Sequence, residues 1–386
     1  MTLIEGIRRF TKNIGTGYSQ TAIGDFRGTT CRYNQLYHLC LLHVLGDDQQ
    51  VITDGLRTLK GVLRNGLLSE DDTLIGKNHG HDYVTLHLSA LYYQLASAYL
   101  DELPLIAAFE DWDATKLGLA LSRIDNSSAW YASNIVMSYA VLFAHNARRG
   151  NNLDCLPAII GFLNDSQDTA TGMWFGSKRA SKINAMAATF HYLPLYSYLH
   201  ASPAHAERIF DNIARIAVNG GYFNLPAGYA CLDYDGISSL QYLADQVLSD
   251  HQREERISRL LSIATTLRSH ILSMQRDDGG FPEAGPSRGA WPDIVHWITH
   301  VLHNRCLWSA VWNARFIQKS WTSPNRLIHA NSVRACRAQV SESSAFSTWF
   351  RFMTIACCED IMERYGSLAQ REAQPRRLSL PGLGYF

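Results

Sequence analysis

The sequence predicts an all-α protein, an α/α toroid in which an inner ring of helices is wrapped by an outer ring, forming a single domain over residues 1–366. Alternating Val/Ile/Thr runs are nearly absent, while apolar residues recur at helical spacing along the whole chain. Helices that are apolar nearly all round alternate with helices that are apolar on one face only. The first kind must be surrounded by other helices, and the second must lie against the exterior. Polar, glycine-bearing turns recur at roughly 50 to 60 residues, longer than most solenoid units, which favours a closed ring over an open helical solenoid.

Taken in order, the inner helices are expected at 34–45, 82–99, 130–146, 184–199, 235–248, 294–315 and 346–364. One-sided outer segments fall between them at 50–65, 152–164, 204–218 and 252–275. Three joints, LNDSQDTATGMW (163–174), AVNGGYF (217–223) and LSMQRDDGGF (272–281), each close an outer helix with a Gly turn and an aromatic residue before an inner helix. Glycine there supplies the positive φ that ends a helix. Residues 367–386, locally basic with Pro and Gly, read as a loosely ordered tail.

Charge and composition exclude several classes. Lys+Arg and Asp+Glu number 35 each, so no overall field draws nucleic acid or anionic lipid. No run approaches the ~20 apolar residues of a membrane span. Glu5, Arg8 and Arg9 stand where a signal peptide would be apolar, which predicts a cytoplasmic protein. Eight cysteines without a CxxC pair read as free, mostly buried thiols. No G-x-S-x-G elbow, Walker loop or dinucleotide fingerprint occurs.

Leu163, Gln167, Gly172 and Trp174 fit an apolar–x3–Gln–spacer–Gly-x-Trp pattern that resembles the QW motif of terpene cyclases. Ile271, Gln275 and Gly280 repeat it in part, with Phe281 in place of Trp. The Gln amide is expected to cap a helix end while the indole stacks on a neighbouring repeat. Over residues 80 to 365 the chain resembles the squalene-cyclase and protein-prenyltransferase superfamily of α/α toroids.

That resemblance gives meaning to LDYDGI (232–237). Class II terpene cyclases protonate an alkene or epoxide with the middle acid of an Asp-x-Asp-Asp motif. Asp233 matches the first position and Asp235 the middle one, while Gly236 stands where the last Asp belongs. The resemblance implies Asp235 as general acid and Asp233 as the group that tunes it. A carboxyl in an apolar cavity beside a second carboxylate is held protonated by desolvation and like-charge repulsion. The same pair at a helix start is also a common N-cap, and DWDATK (111–116) is expected to be one. A carbocation would need aromatic faces, and Tyr83, Trp130, Trp297 and Trp349 fall near the starts of inner helices.

Asn184 and His191 lie two turns apart on one inner helix, and Arg351 is a lone cation in an apolar run, fit to pair with a carboxylate or to hold an anionic substrate group. His79, His81 and Asp82, and the stripe His296, His300 and His303, are metal-compatible but read more simply as a loop and a helix face, so no metal site is assigned. The expected activity is protonation-initiated cyclisation of an isoprenoid, with no cofactor for the first step and Mg only where a diphosphate is bound. A carbohydrate-active α/α toroid drawing a second carboxylate from Asp82 or Asp293, or a non-catalytic scaffold, are the alternatives.

Overall fold

The structure is a computed structural model that describes residues 2–16, 32–69, 83–124, 129–174, 182–217, 222–223, 229–247, 253–283, 327–329, 337–339 and 343–366. Its helices are α1 (Leu3–Thr16), α2 (Arg32–Leu45), α3 (Gln49–Lys60), α4 (Tyr83–Ala96), α5 (Ala114–Ser122), α6 (Ala129–Ala147), α7 (Cys155–Ser166), α8 (Lys182–Tyr198), α9 (Ala206–Ile216), α10 (Ala230–Val247), α11 (Arg253–Leu272) and α12 (Ala345–Tyr365). A three-residue antiparallel pair, β1 (Leu327–His329) and β2 (Arg337–Gln339), is the one strand pair among the described residues. The protein is all-α, as the spacing of its apolar residues predicts. The expected helix at 294–315 and the tail at 367–386 lie outside the described residues.

Six helices, α2, α4, α6, α8, α10 and α12, each pack on two others of the set, and the cycle closes from α12 back to α2. Their sequences explain this. Every residue of α6 from Ala132 to Asn146 is buried, as is every residue of α8 from Ala185 to Tyr196, which only a helix enclosed on all sides can achieve. Outside them, α9 buries Ile209, Phe210, Ile213 and Ile216 on one face and packs on α8, α10 and α11. The inner helices thus form one closed cycle of neighbours, with one-sided helices packed outside it.

Two outer helices escaped the sequence reading. The first, α1, starts with a reciprocal cap, in which Thr2 N–H donates to Glu5 and Glu5 N–H to the Thr2 hydroxyl, and it buries Ile7 and Phe10. The second, α5, is capped by Asp113, whose carboxylate accepts from Lys116 N–H at 2.8 Å, while Asp111 pairs with the Lys116 ammonium. DWDATK is thus a cap, as expected.

In the joints the indole packs on a neighbouring helix as expected, but it also takes the capping role expected of the glutamine. Trp174 Nε1–H donates to the Leu163 carbonyl in the last turn of α7 at 2.8 Å, so the indole caps the helix. The Gln167 amide instead donates across the turn to Gly172 O. The Trp174 ring packs edge-on to Tyr192 of α8, 5.3 Å between centroids. In the second joint Gln275 makes the matching bond to Gly279 O and a further one to Leu3 O of α1. The positive φ falls at Gly279 (89°) rather than Gly280, and a Cβ there would sit 1.9 Å from Gly6 O, so the turn is pressed directly on α1. The joint after α11 therefore docks the first helix of the chain, as the joint after α7 docks α9 through Asn212 and Thr171 O.

Candidate active site

The helix α10 begins at Ala230, five residues before its expected start. Its first amide donates to Glu283 O at 3.1 Å, a partner no local pattern reveals. Asp233 thereby occupies the first turn, where the backbone dipole favours a carboxylate, and Asp235 lies inside the helix. Successive helical residues turn by about 100°, so positions two apart face nearly opposite ways.

Asp233 is fully buried and is not among the cavity's described lining residues. It pairs with the Arg351 guanidinium of α12 and accepts the Phe223 N–H at 2.9 Å. Arg351, also fully buried, donates its other amino group to Glu283 O at 2.7 Å, and the Glu283 carboxylate accepts from Ser347. This polar clamp locks the segment 281–283 across the starts of α10 and α12. Burial raises the Asp233 carboxyl above its ordinary range, opposed by Arg351 and by the Phe223 amide. Of the two uses open to Arg351, the structure places it in the ion pair.

Asp235 points into a cavity lined by Tyr37, His87, Trp130, Asn134, Phe190, His191, Cys231, Asp235, Phe346 and Phe350. All six inner helices contribute, nearly always from the first two turns, so the hollow sits at the end of the ring where they start. Asp235 Oδ2 is buried with no hydrogen-bond partner among the described residues. Burial first, and then the nearby Asp233 charge, push its carboxyl well above the usual range. The cavity volume is about 20 Å³, room for a single water. Trp130 and Cys231 are half-exposed and form its rim.

The wall is aromatic. Trp349 lies behind it rather than in it, edge-on to Phe350 (4.7 Å) and to Tyr37 (5.6 Å). Tyr234 bridges Phe350 and Phe190 at 5.6 and 5.2 Å. Two imidazoles share the hollow. His87 Nε2 meets the Tyr37 hydroxyl at 3.3 Å, and His191 Nδ1 meets Ser133 Oγ at 2.8 Å. Burial pushes both down to about 3, so both are neutral.

The structure therefore gathers Asp235, Trp130 and His191 of the sequence-predicted residues. Asp233, Trp349 and Arg351 support them from one layer out. Asn184, half-buried in the first turn of α8, is not among the described lining residues. The side chain of Tyr83, and Trp297, Asp293, His79, His81, Asp82, His296, His300 and His303, lie outside the described residues. Sequence reasoning missed Tyr37, His87, Asn134, Phe190, Phe346, Phe350 and Glu283. Polar Tyr37 and His87 inside the apolar runs QLYHLC and VTLHLS were the available signal.

The departure at Gly236 has a steric cause. A Cβ there would lie 2.3 Å from the Phe223 ring, so the place of a third acid is filled by an aromatic side chain. The described residues do not fit a cation site either, since no three His, Cys, Asp or Glu groups among them gather to hold a metal. Among the described residues no helix is long and apolar enough to cross a membrane.

What fold and site define is an all-α ring with an acid-bearing aromatic hollow at one end of its axis. No known protein family and no curated protein matches the chain.

Proposed function

We propose that the protein is an acid-initiated isomerase of the class II terpene cyclase type, with Asp235 as the proton donor to an alkene of an isoprenoid substrate. The observation that carries this reading is Asp235, buried in an aromatic cavity with its Oδ2 lacking a hydrogen-bond partner among the described residues. A neutral acid held there is poised to release its proton once an alkene lies against it. The cation so formed would face the rings of Phe190, Phe346, Phe350, Tyr37 and Trp130, whose quadrupoles stabilise positive charge.

Asp233, kept in place by Arg351, adds the negative charge that helps to hold Asp235 protonated. A prenyl chain exceeds the hollow as it stands, so binding requires the rim at Trp130 and Cys231 to open. Asp235 is the single carboxylate among the described lining residues, which favours this reading over a glycosidase pair.

The test is incubation of the purified chain with farnesyl and geranylgeranyl diphosphates in D₂O, followed by dephosphorylation and mass analysis. Cyclic alcohols carrying one deuterium are expected from the parent and none from Asp235→Asn. A variant that cyclises as fast as the parent removes Asp235 from the mechanism.

A further inference from the structure

The hollow around Asp235 has an interlocked wall and a narrow mouth. Phe346 and Phe350 lie 4.7 Å apart, Phe346 lies 5.0 Å from Tyr37, and Tyr234 bridges Phe350 and Phe190 at 5.6 and 5.2 Å. All five rings are buried, so displacing one displaces the next. A ligand larger than one water must enlarge a volume of about 20 Å³, and the wall resists that. Enlargement falls on Trp130 and Cys231, the half-exposed members of the described lining. Each is the second residue of its helix, α6 from Ala129 and α10 from Ala230.

Cys231 stands four residues before Asp235, so the two share one face of α10, about 6 Å apart along its axis. The thiol lies at the mouth, and one turn below it Asp235 Oδ2 is buried without a hydrogen-bond partner among the described residues. Cys231 is in no disulfide. Desolvation first, and then the carboxylates of Glu283, Asp235 and Asp233, push its thiol well above the usual range, so it stays neutral. A neutral thiol behaves as a small apolar group. A hydrocarbon passes it without stripping water from a charge.

We infer that Cys231 is the threshold of the site, the side chain that a substrate passes to reach Asp235 and the one that sets how broad a group reaches the acid. This rests on the isoprenoid reading and narrows it to an open-chain alkene. A gap between one thiol and one indole admits an extended chain end and refuses a ring already closed, that of a sugar included. Binding then covers Cys231 whether or not turnover follows.

The test is N-ethylmaleimide labelling of the full chain at alkaline pH, read at Cys231 by peptide mass mapping. Farnesyl or geranylgeranyl diphosphate, at about ten times its Kd, leaves about a tenth of the sites open, so Cys231 labelling is expected to slow by about 10-fold. Inorganic pyrophosphate is expected to leave it unchanged. Labelling that neither prenyl diphosphate slows, or that pyrophosphate slows as much, overturns the inference. These measurements need no substitution at residue 231, so a variant that fails to fold does not enter them. In turnover, Cys231→Leu narrows the mouth and is expected to lower kcat/KM by about 10–200-fold. Cys231→Leu turning over as fast as the parent, while Asp235→Asn makes no product, overturns the threshold and leaves the acid standing. A parent whose Cys231 is shielded by the prenyl chain but which makes no cyclic product supports the threshold and overturns the acid.

Discussion

Asp235→Asn is expected to cost the activity and to stabilise the fold, increasingly so as pH rises. The native carboxyl keeps its proton well above the usual range, while in the unfolded chain it ionises near an ordinary value. A group with a raised native pKa contributes its full stability below the unfolded pKa and loses it as pH climbs towards the native one. The loss accrues at about 1.4 kcal/mol per pH unit between the ordinary carboxyl value and the native one. An amide carries no such term, although leaving its donors unmet costs about 1–3 kcal/mol.

Urea unfolding of parent and variant at pH 5, 6 and 7 measures the difference. It should grow in the variant's favour as pH rises, at up to about 1.4 kcal/mol per unit. The buried histidines His38, His87, His145 and His191, all depressed by desolvation, slope the other way, since they disfavour folding as pH falls below the unfolded imidazole range. They are present in both proteins and largely cancel in the difference. A difference that is flat with pH would mean that native Asp235 is ionised, and the proton-donor argument would fall with it.

Arg351→Met leaves the buried Asp233 carboxylate without its cation and should cost about 3–5 kcal/mol, with Asp233→Asn added to it recovering part of the loss in thermal melts; a melt unchanged from the parent would refute the clamp. Gly236→Ala drives a methyl into the Phe223 ring and should cost about 1–3 kcal/mol, whereas a neutral result would mean Phe223 moves freely. Trp174→Phe keeps the ring but loses the bond to Leu163 O, for an expected loss of about 1–2 kcal/mol by chemical denaturation. Asp113→Ala removes the α5 cap and should cost about 1 kcal/mol, visible in the same assay, and no change would assign that cap no energetic role.

Most of the ring was legible because burial on all sides leaves a plain mark. The runs that become α6, α8 and α12 are apolar past any single stripe, and their ends fall within two residues of the expected ones. The start of α10 was not legible, because the Ala230 amide donates to the carbonyl of Glu283, more than fifty residues on. The site was legible in its densest fragment, Asp233 and Asp235, and in Trp130 and His191. Each of the other inner helices lends the cavity only one or two side chains, so no contiguous motif exists to find. The partner of Asp233 stands 118 residues away, and nothing near Arg351 in sequence names it. Architecture had to come first, and the constellation followed from it.

The two acids of LDYDGI separate a structural from a chemical use of one residue type. Asp233 has what a buried carboxylate requires, a guanidinium and a backbone amide, and its removal would leave Arg351 stranded. Among the described residues Asp235 has neither, and a buried acid whose Oδ2 lacks a partner weakens a fold relative to almost any neutral residue of its size. A cap would have placed that carboxylate against free amide groups at the helix start, but the first amide of α10 donates to the Glu283 carbonyl. The helix turn of about 200° between the two positions is what divides the roles, sending one carboxyl into the clamp and the other into the hollow. The clamp in turn fixes a negative charge beside the acid, so the ion pair that holds α10 to α12 also keeps Asp235 in its proton-bearing form.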